Sequence, residues 1–289
     1  MIKAWGVTDK GAVRQQNQDA YYLDVPSGGL AVVVVCDGMG GAKAGNVAST
    51  LAVESFVDAL RTRAEEAGGS LPAEPDEVLQ EAAEISNSAV YYRASIDPDC
   101  GGMGTTMVAA LVEGRLAHIL NIGDSRCYHV TGEGISRVTR DHSVVEDLVQ
   151  RGEITPEEAR LHPRKNLITR ALGAEEHIRA DLYHRELCEG DCLLLCSDGL
   201  SNVVTDQEML YEIIHGGAIE DCCGRLLDIA MSRGARPAER PAQRAEAGEA
   251  DSPPADGGDQ GALRELSHEP RGDHQQFQRH HGDGQHRHD

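Results

Sequence analysis

Along the chain, short runs of apolar and often β-branched residues alternate with longer amphipathic stretches, up to about Gly234. Leu30-Ala31-Val32-Val33-Val34-Val35-Cys36 is unbroken by polar residues and is followed by Asp37-Gly38, the pattern of a strand covered on both faces. Thr105 to Val112, Leu116 to Ile122, Arg126 to Val130 and Asp191 to Cys196 read as further strands, separated by Glu-Gly and Gly-Asp turns. Ala44 to Arg61 and Glu74 to Arg93 carry apolar residues at intervals of three and four, the spacing of helices with one buried face. Residues 141 to 173 are polar, with Thr155-Pro156-Glu157-Glu158 shaped like a helix start. Strands that arrive in adjacent pairs predict antiparallel sheets covered by helices.

Composition changes once, near Gly234. From there to Asp289 the large apolar residues are Leu263, Leu266 and Phe277 alone, too few to offset the entropy of ordering the segment, so residues 234–289 are expected to form a low-complexity, disordered tail behind a domain of residues 1–233. Its His280-His281 and His286-x-His288 read as polar filler or as a loose metal-binding tract. The eight cysteines show no Cys-x-x-Cys pair and no disulfide-framework spacing, which predicts small buried residues in a reducing, cytoplasmic compartment. No signal peptide pattern opens the sequence and no apolar run reaches the ~18 residues of a membrane span. A formal charge of -21 excludes nucleic acid as an expected partner, because a phosphate backbone rewards a basic stripe. Holding cations suits such a chain better.

Candidate chemistry sits where the strands end. Asp37 follows one apolar run and precedes Gly38-Met39-Gly40-Gly41, which has little side-chain bulk to block close approach to the backbone. Cys192-Leu193-Leu194-Leu195-Cys196 ends likewise in Ser197-Asp198-Gly199, and a third run ends in Asn121-Ile122-Gly123-Asp124-Ser125-Arg126. Three aspartates beside glycine at strand ends suggest hard oxygen ligands suited to Mg²⁺ or Mn²⁺ rather than zinc. Singly, each Asp-Gly reads as a plain turn, Arg14 as a surface charge, and Gly-Met-Gly-Gly as a poor phosphate loop without Lys-Ser/Thr. The order of the motifs carries the argument.

That order resembles the PPM family of Ser/Thr phosphatases (the protein phosphatase 2C type) in its bacterial branch. The resemblance runs through Thr8-Asp9-x-Gly11-x-Val13-Arg14-x-x-Asn17-Gln18-Asp19, Val35 to Gly41, Gly104-Thr105-Thr106, Asn121 to Arg126, Thr139-x-Asp141-His142-Ser143, Leu167 to Gly173 and Ser197-Asp198-Gly199-Leu200. It implies an α+β fold, a four-layer α-β-β-α sandwich of two central antiparallel sheets flanked by helices, with residues 141 to 173 as a mobile flap. It also implies two Mn²⁺ or Mg²⁺ ions bridged by Asp37, with the Gly38 carbonyl on one, Asp198 on the other, Asp19 at the pair directly or through water, and Asp124 at a third, looser ion. Arg14 would grip the substrate phosphate as a fork.

The implied reaction is hydrolysis of phosphoserine and phosphothreonine in proteins by a metal-bridged water. No cysteine is followed six residues later by arginine, the pairing of thiol phosphatases. Met39 stands where eukaryotic members carry histidine, which leaves water as the general acid, and Gln18 stands where many members carry glutamate. A further departure is the absence, after Arg233-Gly234, of the Gly-x-x-Asp-Asn and β-branched strand that end family domains and supply a last metal ligand. Two functions follow from this set: an active phosphatase, or a degenerate member that binds phosphoproteins or partners with little turnover. A metal hydrolase of small phosphoesters is a weaker third. Expected partners are phosphorylated proteins and a Ser/Thr protein kinase, with no membrane association and a monomeric chain.

Overall fold

The computed structural model describes residues 2–12, 14–26, 30–41, 43–68 and 74–234; the tail expected at 234–289 lies outside the described residues beyond Gly234. The apolar run at Leu30 becomes strand β2 (Leu30–Met39), which pairs antiparallel with β1 (Asp19–Asp24) before it. The strand does not stop ahead of Asp37, as the run of residues suggests. Asp37 pairs with Asp19, and Gly38 and Met39 pair with Thr105 and Gly104 of the short β3 (Gly104–Thr105). Asp37 therefore lies inside the ladder, opposite Asp19 on one side and accepting at its backbone oxygen from the Thr106 N–H on the other. The ladder continues through β4 (Met107–Glu113), β5 (Leu116–Ile122) and β8 (Asp181–Glu186), in the order β1-β2-β4-β5-β8. A second sheet has the order β7-β6-β9, with β6 at Arg126–Thr131, β7 at Gly134–Arg137 and β9 at Cys192–Cys196. Every pairing is antiparallel.

Helices cover the outer faces. The period of three and four continues further than the apolar residues show, giving α1 at Ala44–Glu66 and α2 at Pro75–Ile96. Beyond Arg61 the extension of α1 is exposed except at Ala64 and, apart from Thr62, built from good helix formers, so it carries little burial signal. The buried stripe of α1 is rich in small residues (Ala44, Gly45, Ala48, Ser49, Ala52), which lets the helix lie close to the sheet. Phe56, Leu60, Leu79 and Val90 of α1 and α2 share a core with Val34, Cys36, Leu120 and Ile122 of the first sheet. The opposite side of that sheet, through Ala31, Val108, Ala110 and Ile119, packs on Cys127, Leu193 and Leu195 of the second. On the far side of the second sheet, α5 (Asp198–Ser201), α6 (Asp206–His215) and α7 (Ile219–Gly234) enclose Tyr128, Cys196, Met209 and Leu226. The result is the four-layer α-β-β-α sandwich.

Residues 141–173 carry α3 (Val144–Gln150) and α4 (Pro156–Leu161), the latter started by a reciprocal Thr155–Glu158 capping box. The two ends of this segment are joined, through a Ser143–Ile168 bridge and a Thr169 N–H donated to His142 O at 2.8 Å.

Candidate active site

The period of two along a strand decides which way the acids face. Ala31 and Val35 of β2 belong to the core between the sheets, so Asp37, two residues on, faces the same way. Asp19 lies directly opposite Asp37 in the β1–β2 ladder, and directly opposed residues share a face. Asp124 sits in the three-residue passage, Gly123-Asp124-Ser125, from β5 of the first sheet to β6 of the second. Asp198 opens α5 just after β9, whose end Cys196 pairs with Arg126 at the start of β6. Four carboxylates from four places in the chain thus gather at one end of the sandwich.

Their mutual effect is large. Burial pushes the Asp37 carboxyl up to about 9, with the charges of Asp19 and Asp198 adding to it and the Arg14 guanidinium opposing. Asp124 is pushed up to about 7, again by burial first and then by Asp198 and Asp141. Asp19 is raised by burial, against the pull of a hydrogen bond from Ser197 Oγ to its Oδ2 at 2.8 Å. Asp198 Oδ2 accepts from Asn202 Nδ2 at 3.0 Å. Arg14 Nη1 lies 3.7 Å from Asp37 Oδ1 while its side chain stays half exposed, free to meet a ligand from solvent.

Neutral groups fix the frame. The Asp37 backbone N–H donates to Thr106 Oγ1 at 3.0 Å, and Thr106 N–H and Thr105 Oγ1 both donate to Asp37 O at 2.9 Å. Thr106 Oγ1 and Ser125 Oγ share a 2.7 Å hydrogen bond, tying the Asp37 strand to the Asp124 turn. Gly123 in that turn has φ +103°, and a Cβ there would sit 2.6 Å from the Thr106 methyl. Gly38 is pressed against the start of α1. A Cβ on Gly38 would come within 1.9 Å of Gly45 O, and one on Gly45 within 2.7 Å of Gly38 O. Gln18 does not point at the carboxylates; its Nε2 donates to Gly41 O at 2.7 Å and shapes the loop after β2. Asp141 is likewise occupied, clamped by Arg126 at 2.7 to 3.1 Å.

The structure therefore brings Arg14, Asp19, Asp37, Gly38, Asp124 and Asp198 to one locality. Sequence reasoning passed over Ser197 and the Thr106–Ser125 pair, although both lie inside the motif blocks. Cys36 and Cys196, flanking the site, are buried, and burial pushes their thiols up, so they act as core residues.

Residues 12–218 match the family model described as Protein phosphatase 2C. The serine/threonine phosphatase stp of Listeria innocua is 40% identical over 203 residues, covering 70% of this chain and 79% of that protein. Among solved structures, serine/threonine phosphatase Stp1 from Staphylococcus aureus is 36% identical with a TM-score of 0.72, over 79% of this chain and 89% of that one. The catalytic domain of the serine/threonine protein phosphatase PstP, solved in complex with two manganese ions, is 35% identical with a TM-score of 0.67, over 78% of this chain and 90% of that one.

Proposed function

The chain belongs to the protein phosphatase 2C family, and on that premise we propose that the carboxylate cluster is its catalytic centre. The chain is a metal-dependent phosphatase acting on phosphoserine and phosphothreonine in proteins. The observation that supports placing the chemistry here is the imbalance of charge. Four acids crowd a half-dry site with Arg14 as the cation in contact with Asp37, so that a carboxyl rises to about 9 when no metal compensates it. Such an oxygen-only donor set fits hard divalent ions, Mn²⁺ or Mg²⁺, two in number as in the PstP complex. Asp37, the Gly38 carbonyl and Asp198 would hold the pair, Asp19 would act beside it, and Asp124 would serve a third ion.

Bound there, the ions supply an acidified water as nucleophile and neutralise the phosphoryl oxygens. The rest is done by the chain. Arg14 presents its fork to the phosphate from the solvent side and orients it. Ser197 holds Asp19 in place, and the Thr106–Ser125 hydrogen bond keeps Asp37 and Asp124 at a fixed relation without adding charge. The leaving alkoxide takes its proton from water, since Met39 offers none.

The degenerate reading is not favoured by relatives that are named phosphatases. The departure after Gly234 bears instead on completeness. β9 is all apolar, yet four of its five residues are only half buried, and among the described residues it is an outer strand of its sheet. Beside it runs a cleft of about 1230 Å³ lined by the segment Ile2–Ala12, Leu193, Leu195, Leu226 and Met231. Those features support a catalytic domain over residues 1–233 in which, among the described residues, no strand covers the outer edge of β9. A Ser/Thr kinase as functional counterpart, a cytoplasmic location and a monomeric state complete the proposal; no helix among the described residues is long and apolar enough to cross a membrane.

The test is phosphate release from a phosphothreonine peptide by the full chain with Mn²⁺. Release should vanish with chelator and fall at least ~100-fold in Asp198→Asn. Undiminished release in chelator would refute the assignment.

A further inference from the structure

A second constellation lies on the other face of the first sheet. His118 of β5 shares its face with Leu120 and Ile122, which belong to the core under the helices, whereas Asp37 faces the second sheet. His184 of β8 is the residue directly opposite His118 in the antiparallel ladder, so both imidazoles project to the helix side. Asp76, in the first turn of α2, reaches between them. Its Oδ1 lies 2.7 Å from His118 Nδ1, and its Oδ2 lies 2.8 Å from His184 Nε2. The rings stand nearly perpendicular, at 88° with centroids 5.0 Å apart, so they meet edge to face rather than stacking.

We propose that Asp76, His118 and His184 form a binding site for a borderline transition-metal dication of the Zn²⁺ class, separate from the carboxylate centre. One donor atom from each of the three residues lies within 4.8 Å of the others. A tetrahedral ion with ~2.0–2.1 Å bonds needs its ligands roughly 3.3 Å apart, so small rotations of the side chains would open the present hydrogen-bonded trio to that spacing. Two imidazoles and one carboxylate suit zinc, copper or nickel, where the all-oxygen centre suits magnesium or manganese. The chain can thus sort two classes of cation by chemistry.

Burial and rigidity fit a site. His118 is almost enclosed, Asp76 is partly covered, and His184 is half exposed, which leaves an entry side and a fourth position for water. The start of α2 is pinned by Gln80, which donates from Nε2 to Ile178 O at 3.3 Å and accepts at Oε1 from Ala180 N–H at 3.2 Å. A groove alongside carries Asp76, Glu77, Glu81, Glu84 and Asp181 against Arg170 and Arg179; Asp181 is paired with Arg170 and Glu81 with Arg63, so the net negative charge that favours cations there comes from Asp76, Glu77 and Glu84. On binding, each ring nitrogen that now faces Asp76 passes its proton to solvent, and a neutral imidazole takes one up on its other ring nitrogen, so that two neutral imidazoles and the carboxylate turn three lone pairs to the ion. The bound ion would clamp the α2 N-terminus to the β5–β8 pair.

The experiment is a zinc titration of the full chain, wild type beside His184→Ala and Asp76→Asn, in excess Mg²⁺. Histidines of the segment after Gly234 and the cysteines are the same in all three proteins, so only the difference is read. The wild type should bind one more equivalent than either variant, and zinc should raise its melting temperature while leaving theirs unmoved. Cobalt(II) as a spectroscopic probe should give the wild type a visible band lost in His184→Ala, without the thiolate absorption of a cysteine ligand. Circular dichroism without metal establishes that each variant is folded; the half-exposed His184 makes that change the milder of the two. Equal zinc stoichiometry and equal thermal shifts in all three would overturn the proposal and leave the trio as a hydrogen-bonded clip.

Discussion

Replacing Asp37 by Asn should stabilise the metal-free protein while destroying its activity. The carboxyl titrates near 3.8 in an unfolded chain and at about 9 in the fold, because burial and the neighbouring Asp19 and Asp198 disfavour its charge. A raised carboxyl contributes nothing adverse below pH 4, where both states hold the proton. As pH climbs from about 4 towards 9 the unfolded chain releases that proton and the fold keeps it, so stability is lost across this window. At pH 7 the loss is about 4 kcal/mol, at ~1.4 kcal/mol for each pH unit above the unfolded value. Asparagine has the same shape and no proton to hold. Since the crowding is shared among four acids, relief of roughly half that cost is expected, about 2 kcal/mol, or ~4–8 °C in melting temperature for a domain of this size. Thermal melts followed by circular dichroism in chelator, from pH 4 to 8.5, should show the variant and the wild type together at the acid end and the variant higher at the alkaline end. Adding Mn²⁺ should reverse the order at pH 8, because only the wild type keeps the carboxylate proposed to hold the ions. A variant that melts at or below the wild type throughout the pH range in chelator would refute the picture of a charge-crowded site waiting for cations.

Arg14→Ala should raise KM for phosphopeptides about tenfold or more and leave Mn²⁺ affinity nearly unchanged, since the side chain reaches Asp37 of the carboxylate cluster at 3.7 Å but extends to solvent; steady-state kinetics with a manganese titration separates the two. Gly45→Ala forces a methyl to 2.7 Å from Gly38 O, which should cost about 1–3 kcal/mol in stability and weaken manganese binding together, read by melting and by calorimetry; an unmoved affinity would place the Gly38 carbonyl outside the metal site. Replacing the residues after Gly234 with a segment carrying Asp-Asn and a β-branched strand should tighten one of the two manganese sites at least about tenfold and raise the melting temperature by covering the β9 edge; equal affinity and turnover in the original chain would show that no carboxylate is lacking.

Much of this architecture is local information and was legible in the residues themselves. The β5 strand has the bounds its apolar run indicates, and the α1 and α2 starts fall within a residue of where periodicity puts them. The motif blocks identified the fold and the reaction, and they contain the six residues proposed for the site. What periodicity could not show was any element whose residues lack a strong pattern. β1 and β8 are polar on their exposed halves and escaped notice, and so did α6, although its Thr205–Glu208 capping box was readable.

Tertiary structure alone decided which of these residues meet. Asp37 was expected past the end of its strand and lies inside the ladder, because pairing with Asp19 and the neighbouring Thr105 continues the sheet beyond the last apolar residue. Ser197 finds Asp19 across 178 positions, and His184 finds Asp76 across 108. Nothing in the spacing of those residues records the encounter, since side-chain direction is set by strand register and by the angle at which a helix start lands on a sheet. The sequence by itself determined which chemical groups are available and, through alternation, the face each one takes within its own strand. The packing of the two sheets and the seating of α1 and α2 determined which faces coincide, and so placed hard oxygen donors on one side of the first sheet and the imidazole pair on the other.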